Sequence, residues 1–379
     1  MKYLLTYLFL LIPVCLISQQ TINGYIMHQN MKRDYILYVP ASYTGNEAVP
    51  LVLNFHGYTS NATAQMGYGD FRPIADTANF IIVHPQGMMF NGNTHWNVGG
   101  WTVGSSADDV GFTAALLDTL AAHYNIDADR VYSTGMSNGG YMSFLLACQL
   151  SDKIAAIASV TGSMTPETFN ACNPQHPTPI MQIHGTTDGT VPYNGAVWTK
   201  AIDDVMDYWI QFNSCDNTAD TSAFPDINVL DGSTAEHHVF DNGNHEATAE
   251  HIKITGGGHT WPRTGPAGAG TNRDFDATME IWKFFSRYDL NGLRGTNPIE
   301  DLSDDKSQGM IYPNPATKTL HINLNSSKNT AYQLFDLNGK LIQSGSIPGR
   351  AHVLDLSALA QGMYTLRLRN HGYRVLKAD

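Results

Sequence analysis

Ser137 sits in the run Gly135-Met136-Ser137-Asn138-Gly139, after a short apolar stretch at residues 130–134 and before a helical pattern at residues 141–147. A G-x-S-x-G between a strand and a helix predicts a nucleophile elbow, a tight turn that pushes the serine hydroxyl into the open. The flanking glycines leave room for a strained backbone there. A serine so placed performs acyl transfer once three things are supplied: a base, an acid to orient the base, and amide donors for the oxyanion.

The chain offers each, in the order Ser, Asp, His. Asp188 follows the strand-like residues 178–184, within Thr186-Thr187-Asp188-Gly189. That is the strand end where open parallel sheets bind ligands. An aspartate before a glycine is also an ordinary turn residue, and taken alone the two readings weigh equally. His259 follows the strand-like residues 250–255 and then Gly256-Gly257-Gly258. Three glycines let the loop bend and carry the ring back to the sheet edge. Its position rather than its type selects it, because the chain holds 15 histidines. The backbone N–H of Asn138 is the first expected oxyanion donor. That of Tyr58, which follows the strand-like residues 50–55 and His56-Gly57, is the second. His56 itself reads as a packed structural residue. Trp96 and Trp101 lie in the Gly-rich loop His95-Trp96-Asn97-Val98-Gly99-Gly100-Trp101. They are candidates for stacking on a sugar or phenolic ring, with packing of the loop as the equal alternative. Trp261 reads as a buttress of the His259 loop.

These residues need a scaffold. Strand-like runs alternate with helical patterns through residues 19–289, which predicts an α/β domain with a mostly parallel central sheet covered on both faces. Asp108 and Asp109 suit the start of one helix, where carboxylates oppose the helix dipole. Residues 276–288 form the last helix of the domain. Residues 290–309 are rich in Gly, Asn, Pro, Asp and Ser and read as a linker. Residues 310–379 carry short alternating strands, with a hairpin turn at Asn338-Gly339, and predict a small all-β sandwich.

Composition sets bounds. The 379 residues allow two or three domains, and a net charge of −12 lacks the basic balance of a nucleic-acid binder. Residues 1–18, with Lys2 and an apolar stretch at 4–17, read as a secretory signal peptide. No later stretch suits a stable membrane span. Loss of Cys15 with the signal leaves Cys148, Cys172 and Cys215. Cys148–Cys172 is the expected disulfide, since both would lie near the helix after the elbow and its following loop. None of the cysteines has metal-ligand spacing.

Residues 21–289 resemble the secreted esterase group that includes polyhydroxybutyrate depolymerases, feruloyl esterases and acetyl xylan esterases. The resemblance rests on Arg33-Asp34-Tyr35-Ile36-Leu37-Tyr38-Val39-Pro40, Phe55-His56-Gly57, Asp108-Asp109-Val110-Gly111-Phe112, the Ser137 elbow, His184-Gly185-Thr186-Thr187-Asp188, and Gly257-Gly258-His259-Thr260-Trp261-Pro262. It implies an α/β-hydrolase fold, Ser137 as nucleophile, Asp188 as acid and His259 as base, with neither a metal nor an organic cofactor. The C-terminal region resembles the type IX secretion sorting domain of Bacteroidota. There it rests on Ile311-Tyr312-Pro313-Asn314-Pro315, Leu334-Phe335-Asp336-Leu337-Asn338-Gly339-Lys340 and Leu356-Ser357-Ala358-Leu359-Ala360-Gln361-Gly362-Met363-Tyr364. This implies the type IX secretion machinery as a partner and a secreted or surface location. The expected activity is removal of feruloyl or acetyl groups from plant cell-wall polysaccharide. Polyester depolymerisation is the alternative, and a non-catalytic surface binding protein is a third reading.

Overall fold

The computed structural model describes residues 19–294, 309–312, 316–324, 330–336, 340–368 and 371–378. Two compact units divide between Arg294 and Gly295. The expected signal peptide, most of the expected linker and the Asn338-Gly339 turn lie outside the described residues.

The first unit is built on a ten-stranded sheet. In chain order its strands are β1 (Gln20–His28), β2 (Met31–Val39), β3 (Val49–Phe55) and β4 (Ile81–Pro85). A separate hairpin follows, β5 (Met88–Phe90) with β6 (Asn93–His95). The sheet then resumes with β7 (Ile126–Met136), β8 (Ala156–Val160), β9 (Ile180–Gly185), β10 (Asp220–Ala223), β11 (Thr234–Phe240) and β12 (Ala249–Thr255). The order across the sheet is β1-β2-β4-β3-β7-β8-β9-β12-β11-β10. The six strands from β4 to β12 in that order run parallel, and antiparallel pairs close both sides. A short pair, β13 (Tyr288–Asp289) and β14 (Gly292–Leu293), ends the unit.

Strand residues alternate between two cores. Leu51, Leu53 and Phe55 of β3 enter one, and Val52 the other. Seven helices cover the faces: α1 (Ala62–Tyr68), α2 (Arg72–Ala78), α3 (Asp109–His123), α4 (Asn138–Gln149), α5 (Pro166–Ala171), α6 (Ile202–Asn213) and α7 (Ala277–Phe285). In α4 every residue but Gln149 is buried, as expected of a helix apolar all round. Helix α6 is one-sided, presenting Val205, Met206, Trp209 and Ile210 to the core. Asp108 caps α3 by accepting from the Gly111 N–H at 2.9 Å. Asp109 has a different job: its buried carboxylate takes Arg33 Nη2 at 2.5 Å and the Asn97 N–H at 2.7 Å. It thereby ties β2 to the loop before the helix.

Cys148 and Cys172 form the expected disulfide, linking the end of α4 to the residue after α5. Cys215 is buried, with its thiol donating to the Ala247 carbonyl at 3.4 Å. Burial pushes that thiol's pKa up to about 11.

The second unit is all β. Its strands are β15 (Gly309–Tyr312), β16 (Thr319–Leu324), β17 (Thr330–Phe335), β18 (Leu341–Ile347), β19 (Ala351–Asp355), β20 (Gly362–Leu368) and β21 (His371–Lys377). They make two antiparallel sheets, β15-β16-β19 and β18-β17-β20-β21. Leu320, Ile322 and Leu354 from one sheet pack with Leu334, Leu366 and Val375 from the other. This is the small sandwich that the alternation predicted.

Candidate active site

Ser137 occupies the turn between β7 and α4 at φ 54°, ψ −120°. An L-residue in the left-handed half of φ space is uncommon and persists only when its surroundings hold it there. Glycines make this possible. A Cβ on Gly135 would lie 2.5 Å from the Phe55 carbonyl oxygen, and one on Gly139 2.1 Å from it. The elbow therefore presses directly on the end of β3. The Ser137 N–H donates to the Val160 carbonyl at 2.8 Å and fixes the turn from the other side.

The Asn138 amide is among the first of α4, so no helical carbonyl is available to it. Its side chain is committed elsewhere, accepting from the Trp96 N–H at 2.7 Å and donating to the Trp96 carbonyl at 3.1 Å. The second expected donor is close by: a Cβ on Gly57 would be 3.4 Å from Ser137 Cβ. The Gly57 carbonyl accepts from His56 Nδ1 at 2.7 Å and from the Ser60 N–H at 3.1 Å. Because the peptide is planar and trans, the Tyr58 N–H points away from those donors. His56 Nε2 accepts from the Gly87 N–H at 2.9 Å, which leaves Nδ1 as the protonated nitrogen. Burial lowers the His56 pKa to about 4, so the ring stays neutral and holds this turn.

His259 Nδ1 lies 2.7 Å from Asp188 Oδ2. Glycines allow this contact too. A Cβ on Gly185 would be 2.2 Å from the Gly257 carbonyl oxygen, and the Thr187 N–H donates to that oxygen at 3.0 Å. The loops after β9 and β12 thus touch through their backbones. Asp188 Oδ1 accepts from the N–H groups of Thr190 and Val191, both at 2.8 Å. Burial raises its pKa, but the His259 hydrogen bond and these amides outweigh burial and hold the carboxyl below its ordinary range.

Sequence reasoning missed His184. Alternation on β9 sends Met181 and Ile183 to one core and turns Gln182 and His184 to the opposite face. His184 Nε2 is 2.9 Å from the Val191 carbonyl and 3.4 Å from Asp188 Oδ2, and both side chains are fully buried. A carbonyl only accepts, so Nε2 carries the hydrogen and Nδ1 accepts from Gln182 Nε2 at 3.0 Å. The advance signal was its place four residues before Asp188, at the head of the His184-Gly185-Thr186-Thr187-Asp188 run.

Ser137 and His259 line one pocket of about 350 Å³, with Tyr58, Tyr68, Met136 and Trp261 as its larger walls. Trp261 is buried and donates to Thr278 Oγ1 at 3.0 Å, as a buttress should. Of the two equal readings for Trp96 and Trp101, stacking on substrate is corrected for Trp96, which packs the loop. Trp96 is fully buried, donates to the His56 carbonyl at 2.8 Å and packs edge-on against Phe55. Trp101 is half-buried against Tyr141 and Trp198. Neither belongs to the pocket wall. A second cleft of about 400 Å³, bordered by Asn97, Asp108, Gln149 and Glu167, contains none of Ser137, Asp188 and His259. Among the described residues no group of three or more His, Cys, Asp or Glu could hold a metal ion.

Residues 33–197 match the family described as esterase PHB depolymerase. Over 273 residues the chain is 30% identical to probable feruloyl esterase C of Aspergillus clavatus, covering 69% of this chain and 86% of that one. The chain belongs to this esterase family. Two other members of the group are similar over shorter shares of their length. The bifunctional acetylxylan esterase/xylanase XynS20E of Neocallimastix patriciarum is 29% identical over 72% of this chain and 36% of its own. Feruloyl esterase B of Piromyces equi is 32% identical over 44% of this chain and 31% of its own. The chain thus spans about a third of the length of these two relatives. Residues 310–378 match the secretion system C-terminal sorting domain.

Proposed function

We propose that this protein is an exported serine esterase that removes feruloyl or acetyl groups from plant cell-wall polysaccharide. The observation that carries the reading is the strained Ser137 elbow sharing one pocket with His259, whose Nδ1 is held 2.7 Å from buried Asp188. Asp188 accepts from Nδ1–H, so Nε2 is left bare to take the Ser137 proton. Ser137 Oγ attacks the ester carbonyl. The oxyanion is received by the N–H groups of Asn138 and Tyr58, each worth about 3–4 kcal/mol in such sites. His259 then returns the proton to the departing alcohol, and water, deprotonated by the same ring, releases the acid. The relatives named as feruloyl and acetylxylan esterases support this substrate class. The family description supports polyester cleavage as the second reading.

The sorting-domain match and the signal-like N-terminus support export through the periplasm and then type IX secretion. No helix among the described residues is long and apolar enough to cross a membrane. The deciding experiment is hydrolysis of methyl ferulate, acetylated xylan and a polyhydroxybutyrate film by the purified chain beside Ser137→Ala. Serine-dependent release of ferulate or acetate supports the lead. Clearing of the film alone moves the reading to polyester. Folded protein with no release from any of them returns it to a binding protein.

A further inference from the structure

We infer that Arg263 recognises a carboxylate carried by the ester, so that the preferred substrates are anionic. This rests on the esterase reading and narrows its substrate class.

The pocket that holds Ser137 has one wall made of Arg263, Ala267, Gly268 and Thr271. Among the described residues no Asp, Glu or Lys lines the pocket, and Arg263 is the one permanently charged side chain that does. The guanidiniums of Arg33, Arg72, Arg130 and Arg287 each meet a carboxylate. Among the described residues the Arg263 guanidinium has only the Pro266 carbonyl, at 2.7 Å from Nη2; those of Arg273 and Arg294 also bond carbonyls alone, but neither residue lines the pocket. A guanidinium presents five N–H donors, and one carbonyl uses one of them.

Space and chemistry agree. A Cβ added at Gly268 would meet nothing within 4 Å, so the pocket is open at that residue. The same pocket is lined by Tyr58, Tyr68, Met136 and Trp261, which suit the uncharged body of a substrate. The reacting carbonyl is claimed by Ser137 and the two amides. Arg263 therefore addresses a second group, away from the scissile bond. Its planar fork matches a carboxylate with two parallel hydrogen bonds, and one cation balances one carboxylate. A phosphate monoester brings about −1.5 to −2 and would remain under-compensated. Feruloyl and acetyl groups carry no second carboxylate, so on the lead reading it belongs to the alcohol, as in a uronic acid unit; a carboxylate on the acyl group, as in a dicarboxylic half-ester, would change the acyl class as well.

A purely structural role is the competing explanation, since Arg263 also holds its own loop. Arg273 already does this from the other end, donating from Nη2 to the Ala267 carbonyl at 2.8 Å.

The test uses matched esters with the full chain. The acyl-side pair is mono-4-nitrophenyl succinate and 4-nitrophenyl butyrate, which differ by a carboxylate in place of a methyl. The alcohol-side pair is 4-carboxyphenyl butyrate and its methyl ester. For each pair the ratio of kcat/KM, anionic over neutral, is compared between wild type and Arg263→Gln, which cancels intrinsic reactivity. We expect that ratio to fall by about tenfold or more in one pair, and the pair affected tells which side bears the charge. Arg263→Lys recovers part of it, and the wild-type preference weakens with salt while the neutral rate does not. Ratios that agree within about twofold on both pairs would make Arg263 a loop brace and overturn the inference. Serine-dependent turnover of the neutral esters tests the esterase reading separately. If that turnover is absent, binding of monomethyl succinate against methyl butyrate to wild type and Arg263→Gln gives the same comparison without catalysis, and equal binding overturns the inference.

Discussion

Asp188 accepts three hydrogen-bond donors with two oxygens, two loop amides and His259, while His184 Nε2 lies 3.4 Å away with its hydrogen on the Val191 carbonyl. Its charge is therefore held in one orientation before any substrate arrives. Asp188→Asn can donate towards His259 and would favour the wrong tautomer. We expect kcat to fall on the order of 10³–10⁴-fold with little change in KM. A deficit confined to KM would argue against this role. His184 positions the Asp188 loop by donating to the Val191 carbonyl, and it does not line the pocket. His184→Phe, which keeps a ring but loses the donor, should lower kcat by about tenfold and leave KM unmoved. Unchanged kcat would make His184 a packing residue only. Ser137→Ala lowers turnover by on the order of 10⁴–10⁶-fold, read on any ester the wild type cleaves.

The elements that carry these residues are close-fitting where they meet. Gly139→Ala would drive a methyl group into the Phe55 carbonyl, 2.1 Å away, where backbone must give. The expected result is about 1–3 kcal/mol of lost stability and loss of most activity, checked by urea unfolding beside the ester assay. Strand β4 and the turn after β3 also bury histidines. Burial lowers the His84 pKa to about 3 and that of His56 to about 4. As pH falls below about 6.5 the unfolded chain takes up protons that the folded chain refuses. Stability therefore drops between about pH 6.5 and 4, by up to about 1.4 kcal/mol per pH unit for each ring. Urea midpoints that stay constant from about pH 7.5 to 5 would contradict this. Much of this framework was legible. Strand β3 is buried at all seven positions, and its continuous apolar run reads as a central parallel strand. The Ser137 and His259 loops announce themselves by glycines that are needed locally. What stayed hidden depends on tertiary contact. Strand β10 is exposed at every position and β11 is mostly polar, so neither shows an apolar pattern. Trp96 looked available because its loop is glycine-rich, yet its burial comes from β3 and the Asn138 side chain. Arg263 lies in a loop without periodicity, and only the folded pocket gives it a meaning.

At the scale of the whole chain, every residue assigned to the chemistry comes from the first unit, which has its own two cores. Residues 19–294 alone should hydrolyse a soluble ester within about twofold of the full chain. A larger loss would mean that the sandwich contributes to turnover. Removing residues 295–379 should instead keep the protein from reaching the medium, as measured by the enzyme's distribution between cells and culture fluid. Reduction of Cys148–Cys172, which spans 24 residues, should cost about 3 kcal/mol and lower the melting temperature by roughly 5 °C or more.

The buried thiol of Cys215 matters in time rather than in space. Under the proposed export, Cys15 leaves with the signal peptide and the chain meets an oxidising compartment before it folds, with Cys148, Cys172 and Cys215 all within reach of the oxidant. Two of the three possible pairings use Cys215 and block the native fold. Only when α6 settles and Cys215 comes to rest against the Ala247 carbonyl does the third sulfur leave the competition. Yield is thus a race between oxidation and packing. Slow folding in strong oxidant should accumulate scrambled species, and Cys215→Ala, by removing one runner, should abolish the dependence on oxidant strength.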